Sequence, residues 1–155
     1  MTAVKSTLSC IICAAMYCGS DDCRAASMLA FAKVELVPAI DIEQTREVDF
    51  GTINNVDGIC EMTSGGMLSG SEGMDCTGNE TPGEFTISGQ DGASIILSVT
   101  AGQTNGITFT PTLAGSNIRT LENGIANITV LGALQLSGAL DGMNTVSYTI
   151  TANYE

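Results

Sequence analysis

The side chains able to do chemistry in this chain are carboxylates and thiols. Asp49, Asp57, Glu61, Glu72, Asp75 and Glu80 lie within one stretch. Two carboxylates held near each other can hydrolyse a glycoside, and several oxygens together can hold calcium. The Asp-x-Asp-x-Asp-Gly spacing of a calcium loop does not occur among them, and the plain reading is a solvated acidic face that keeps the chain soluble. The sequence has His 0, which removes the commonest general base and a leading metal ligand. No Ser, Thr or Cys is accompanied by a base, as nucleophilic catalysis would need. Gly65-Gly66 is not followed by the Lys-Ser or Lys-Thr of a phosphate loop. The expectation is a protein that is not an enzyme and carries no cofactor or metal.

The thiols divide into two groups. Cys10, Cys13, Cys18 and Cys23 sit in an amino-terminal segment, residues 1–26, that reads as a signal peptide. Lys5 supplies a positive start, residues 8–16 an apolar run too short to span a bilayer, and Ala25-Ala26-Ser27 small residues for cleavage. Asp21-Asp22 is an unusual insertion there, and the Ala30-Phe31-Ala32 triplet offers a second cleavage point. The Cys-x2-Cys spacing admits a zinc or iron–sulfur reading. The simpler one is small apolar residues in a discarded peptide. That leaves Cys60 and Cys76, which in an oxidising compartment pair as a disulfide, closing a loop of about fifteen residues with roughly 3 kcal/mol of chain-entropy stabilisation. A redox pair would need a low-pKa thiol, and no Lys, Arg or His lies nearby in sequence.

Composition sets the class of partner and of fold. Lys and Arg number 5 against 17 Asp and Glu, a formal net charge of −12. Nucleic acid and anionic membranes need a cationic surface, so both are excluded as partners. With Gly 18 and abundant Thr, Ser and Asn, the chain favours short strands and tight turns over helices. Phe85 and Ile87 alternate, as do Ile95, Leu97 and Val99, then Ile107 and Phe109 before Pro111. Ile128 and Val130 share a parity with Leu134 and Leu136, and Gly132 between them suggests a bulge. A short strand is expected over residues 48–53, and a weak helical period over residues 118–128. Turn signals stand at Asn54-Asn55, Asp57-Gly58, Gln90-Asp91-Gly92, Asn105-Gly106, Asn123-Gly124 and Asp141-Gly142. This predicts an all-β, immunoglobulin-like β-sandwich of about seven or eight strands.

The two ends of the predicted mature chain position everything else. Residues 27–37 form an apolar arm in which Met28, Ala30, Ala32, Val34 and Leu36 share one parity, and residues 38–155 form the domain. Pro38 cannot donate to a sheet ladder, so the run breaks or bends there. At the other end, residues 145–155 alternate strictly, with Val146, Tyr148, Ile150, Ala152 and Tyr154 on one face. A terminal strand this regular is expected to lie inside a sheet, because an open apolar edge invites aggregation. A free arm and an unpaired strand satisfy each other if the arm of one copy adds to the sheet of the next.

Gly142, the alternating positions after it and the penultimate Tyr154 together resemble the carboxy-terminal pattern of chaperone–usher pilus subunits. The stretch from about Ala26 to the end is also similar to a bacterial family known only as a domain of unknown function. The shared pieces are the apolar strand of residues 34–42, Asp49-Phe50-Gly51-Thr52-Ile53 and the terminal strand. The resemblance implies a structural subunit of an extracellular pilus or fimbria. Such a subunit is secreted through the periplasm, handed from a periplasmic chaperone to an outer-membrane usher, and joined head to tail with identical subunits by donor-strand exchange in support of surface attachment. It implies no membrane insertion of the mature chain. In that reading Met28, Ala30, Ala32, Val34 and Leu36 are the donor strand. Gly142, Val146, Tyr148, Ile150, Ala152 and Tyr154 line the acceptor groove. One departure is that Cys60 and Cys76 fall within a single loop, whereas many members of the family join their first two strands. The alternative is a secreted, monomeric sandwich that binds carbohydrate or another ligand through its loops.

Overall fold

The computed structural model describes residues 27–155. The expected signal peptide and its four cysteines fall outside the described residues. The chain divides into two units, Met1–Val34 and Glu35–Glu155. Residues 27–34 of the first carry no strand and are exposed.

The second unit is all-β, with no helix among the described residues. Its strands are β1 (Asp41–Arg46), β2 (Thr52–Ile53), β3 (Gly58–Met62), β4 (Leu68–Gly70), β5 (Cys76–Thr77) and β6 (Gly83–Ser88). They continue as β7 (Ser94–Thr100), β8 (Gly102–Thr104), β9 (Ile107–Leu113), β10 (Ile118–Thr120), β11 (Ile125–Leu136) and β12 (Thr149–Tyr154). A seven-stranded sheet runs β1-β6-β11-β3-β4 with β9 also on β11 and β8 on β9; a second runs β10-β7-β12; β2 and β5 form a small third. Every pairing is antiparallel.

Period-two patterning decides which side chains go inside. In β6, Phe85 and Ile87 are buried, and in β7, Ile95 and Leu97 are, while the residues between them are more exposed. These meet Leu121, Ala126, Ile128 and Val130 in one core cluster, which Ile150, Ala152 and Tyr154 of β12 join from the opposite sheet. The packing of β6 and β11 against β7 and β12 is sandwich-like. A second cluster holds Phe50, Cys60, Met62, Met74, Ile107, Phe109, Leu131 and Leu136. Val48 and Tyr148 pack against both.

The turns follow their chemistry. Asn105-Gly106 joins β8 to β9 and Asn123-Gly124 joins β10 to β11, all four residues at positive φ between 45° and 77°. Asn and Gly tolerate that conformation best, which makes the tightest hairpins. β11 changes partners along its length, pairing β6 over 125–130 and β3 over 132–136, with β9 joining over 130–136. Gly132 sits at the change. A Cβ there would strike the Thr110 carbonyl and lie 2.7 Å from the Phe109 ring, so the position admits no side chain. Cys60 of β3 and Cys76 of β5 are disulfide-bonded, Cα to Cα 6.2 Å.

Several expectations need correction. The structure has twelve strands among the described residues rather than seven or eight, because β2, β4, β5, β8 and β10 are too short to leave a period. Of residues 48–53 only Thr52–Ile53 is a strand; Asp49 makes an isolated bridge to Thr81. The weak helical period over 118–128 is β10, a turn and the start of β11. β9 runs through Pro111, whose missing N–H is harmless because β8 pairs β9 only as far as Phe109. β12 lies at a sheet edge, not inside, and begins at Thr149 rather than Thr145. The cause is its partner. β7 stays beside β12 up to Thr100, and the chain then crosses into the other sheet as β8.

Candidate functional site

Where β7 departs, the chain ahead of β12 loses its ladder. Among the described residues, residues 143–148 make no backbone–backbone hydrogen bond. The crossing is close, since a Cβ on Gly102 would overlap the Ser147 carbonyl. Yet burial keeps the alternation that the sequence shows. Val146 and Tyr148 are half-buried, and Thr145 and Ser147 exposed.

This unladdered segment is one wall of a groove of about 1330 Å³. Residues between Gln44 and Ile53, on the chain leaving β1 toward β2, also line it. The floor is apolar, with Val48, Phe50, Ile107, Phe109, Leu134 and Leu136. Phe109 is edge-on to Phe50 at 5.7 Å between ring centroids and to Tyr148 at 5.1 Å. The rim is polar. Arg46 lines it but is engaged with Glu84 at 2.6 Å and donates from Nε to the Pro82 carbonyl. Asp49 accepts the Gly51 N–H, Asp141 accepts from Asn55 Nδ2, and Glu47 has no side-chain partner among the described residues.

The six residues expected to form the acceptor face therefore separate. Gly142, Val146 and Tyr148 line the groove. Ile150, Ala152 and Tyr154 lie on β12, half-buried against the core. Tyr154 has a task that periodicity cannot reveal. Its hydroxyl accepts the Gln90 N–H at 2.8 Å and donates to the Pro38 carbonyl at 2.9 Å, tying the last strand to the residue that follows the arm. The expected donor residues Met28, Ala30, Ala32, Val34 and Leu36 belong to no strand and are exposed. Met28 is 92% and Leu36 86% exposed, an unusual state for side chains of that size.

The floor residues escaped sequence reading as a site. Ile107, Phe109, Leu134 and Leu136 read as ordinary inward strand positions, and so they are; nothing local says that their sheet is uncovered at this point. Among the described residues, the six carboxylates singled out in the sequence do not converge on a metal-binding group. Asp49 lines the groove and Asp57 accepts the Gly138 N–H.

Tyr148 is the groove's one buried polar atom without a partner among the described residues. Burial, reinforced by the negative charge of Glu47, pushes its pKa up to about 12 from 10. The neutral phenol is thus favoured by folding. The stability it carries is complete below pH 10 and is lost as pH rises from 10 to 12. Tyr148→Phe is expected to be neutral or to gain about 1 kcal/mol at pH 7, since an unpaired buried hydroxyl is removed. It should also flatten the alkaline loss. Urea denaturation at pH 7 and across pH 10 to 12 checks both; equal alkaline slopes in the two proteins would contradict the assignment.

No protein-family model, no curated protein and no solved structure matches this chain.

Proposed function

We propose that this protein is a structural subunit that polymerises by strand addition, the arm of residues 27–37 of one copy entering the groove of the next, as in the extracellular pili that its carboxy-terminal pattern resembles. The observation that carries this is the groove itself, with an apolar floor and a wall, residues 143–148, whose backbone donors and acceptors have no ladder partner. An extended segment laid there would supply the missing backbone bonds and put alternate side chains on the floor. Residues 27–37 meet that description, with an apolar set of one parity and the length of a strand. A junction between different surfaces of identical copies is heterologous and extends into a filament rather than closing as a pair. Each inserted large side chain would contribute about 1.5 to 3 kcal/mol by burial, so the contact would be long-lived. Delivery by a periplasmic chaperone and an outer-membrane usher, an immunoglobulin-like strand order and a role in attachment belong to the same reading and rest on the resemblance.

Deleting residues 27–37 tests it. The parent is expected to give multimers that resist SDS and fall to monomers on strong heating, and the deletion to give none. A parent with no self-association, and a deletion of undiminished stability, would favour the monomeric, ligand-binding sandwich instead.

A further inference from the structure

Charge is distributed along this chain in a way that bears on how an arm enters a groove. Lys5 and Arg24 offset Asp21 and Asp22, and Lys33 offsets Glu35, so the whole formal charge of −12 falls on residues 38–155. Two such bodies repel each other. Of the cations in residues 38–155, Arg46 is held by Glu84 and Arg119 donates from Nη2 to the Ala114 carbonyl. Lys33 has no ion-pair partner among the described residues, and it lies at the centre of the arm.

The arm's two faces differ for the same reason. One is Met28, Ala30, Ala32, Val34 and Leu36, uncharged throughout; the other sets Lys33 and Glu35 among Leu29, Phe31 and Val37. With the first face on the floor, Lys33 projects outward to the rim. Turned over, Lys33 and Glu35 would lie against Phe50, Phe109 and Leu134, and burying unpaired charge there is strongly disfavoured. On the rim, Asp49 and Asp141 already accept hydrogen bonds from Gly51 and Asn55. Glu47 is exposed, lines the groove and has no side-chain partner among the described residues.

We infer that Lys33 of an incoming arm pairs with Glu47 on the rim of the receiving copy, and that this contact selects the face and register in which the arm seats. The pairing rests on the strand-addition reading above and adds its specificity determinant. Apolar side chains hold the arm, and complementary charge supplies orientation and encounter rate.

The test uses full-chain protein refolded from urea with a fluorescent peptide of residues 27–37. The Lys33→Glu peptide is expected to bind the parent ~10-fold more weakly than the native peptide, and the native peptide to bind a Glu47→Lys chain ~10-fold more weakly than the parent. The Lys33→Glu peptide on the Glu47→Lys chain should return to within about threefold of native, as a reciprocal charge pair requires. Both substitutions fall at exposed positions, so the fold is not at risk. If native and Lys33→Glu peptides bind the parent equally tightly, or the reciprocal pair shows no recovery, the Lys33–Glu47 contact is overturned while strand addition stands. If no peptide binds, strand addition falls and the contact with it.

Discussion

Phe109→Ala is expected to cost about 3 to 5 kcal/mol of unfolding free energy, the range for removing a buried aromatic ring. Phe109 is 3% exposed. Its ring meets Phe50 and Tyr148 edge-on and lies so close to Gly132 that a Cβ there would come within 2.7 Å of it. Gly132 is fixed in the ladder of β11 with β9 and cannot move fully into the space, so transfer and cavity costs add. The same ring forms the groove floor, so the variant should also weaken any occupant that uses it. Urea unfolding with the slope held free measures the loss. A change below about 1 kcal/mol would mean that the site collapses readily and that the aromatic cluster is not what holds the second core together.

Loss of the Cys60–Cys76 bond is the second large effect, with an expected cost of about 2 to 4 kcal/mol. The bond spans a sequence separation of 16. It ties β3, inside the main sheet, to β5, whose only strand partner among the described residues is the two-residue β2. Without the bond, the chain between β3 and β6 is held by two short strands, β4 and β5, and few backbone bonds. Cys60 is fully buried, and Ala is the cleaner replacement because Ser would bury a hydroxyl. A Cys60→Ala/Cys76→Ala double variant should match the parent measured with excess reductant, and reductant should leave the variant unchanged. Identical unfolding midpoints for oxidised and reduced parent would show that the bond constrains nothing.

The sequence and the structure each account for part of this. Periodicity located β6, β7, β9 and β11, since a period of two reports directly which side chains face a core. Asn105-Gly106 and Asn123-Gly124 gave their turns because positive φ is a local demand. The cysteine pairing was legible because Cys60 and Cys76 are the two thiols outside the expected signal peptide. Short strands were not, because β2 and β5 exist only as each other's partner.

The terminal segment separates local from tertiary information most clearly. Sequence alone determined that Val146, Tyr148, Ile150, Ala152 and Tyr154 share an inward face, and burial follows that alternation throughout. Only the tertiary structure decided that the first two lie beside an unladdered groove wall and the last three on a paired strand. The reason lies outside the segment, in the departure of β7 for the opposite sheet after Thr100. Side-chain alternation is a property of a strand by itself, whereas a hydrogen-bonded ladder belongs to two strands and ends wherever either one turns away.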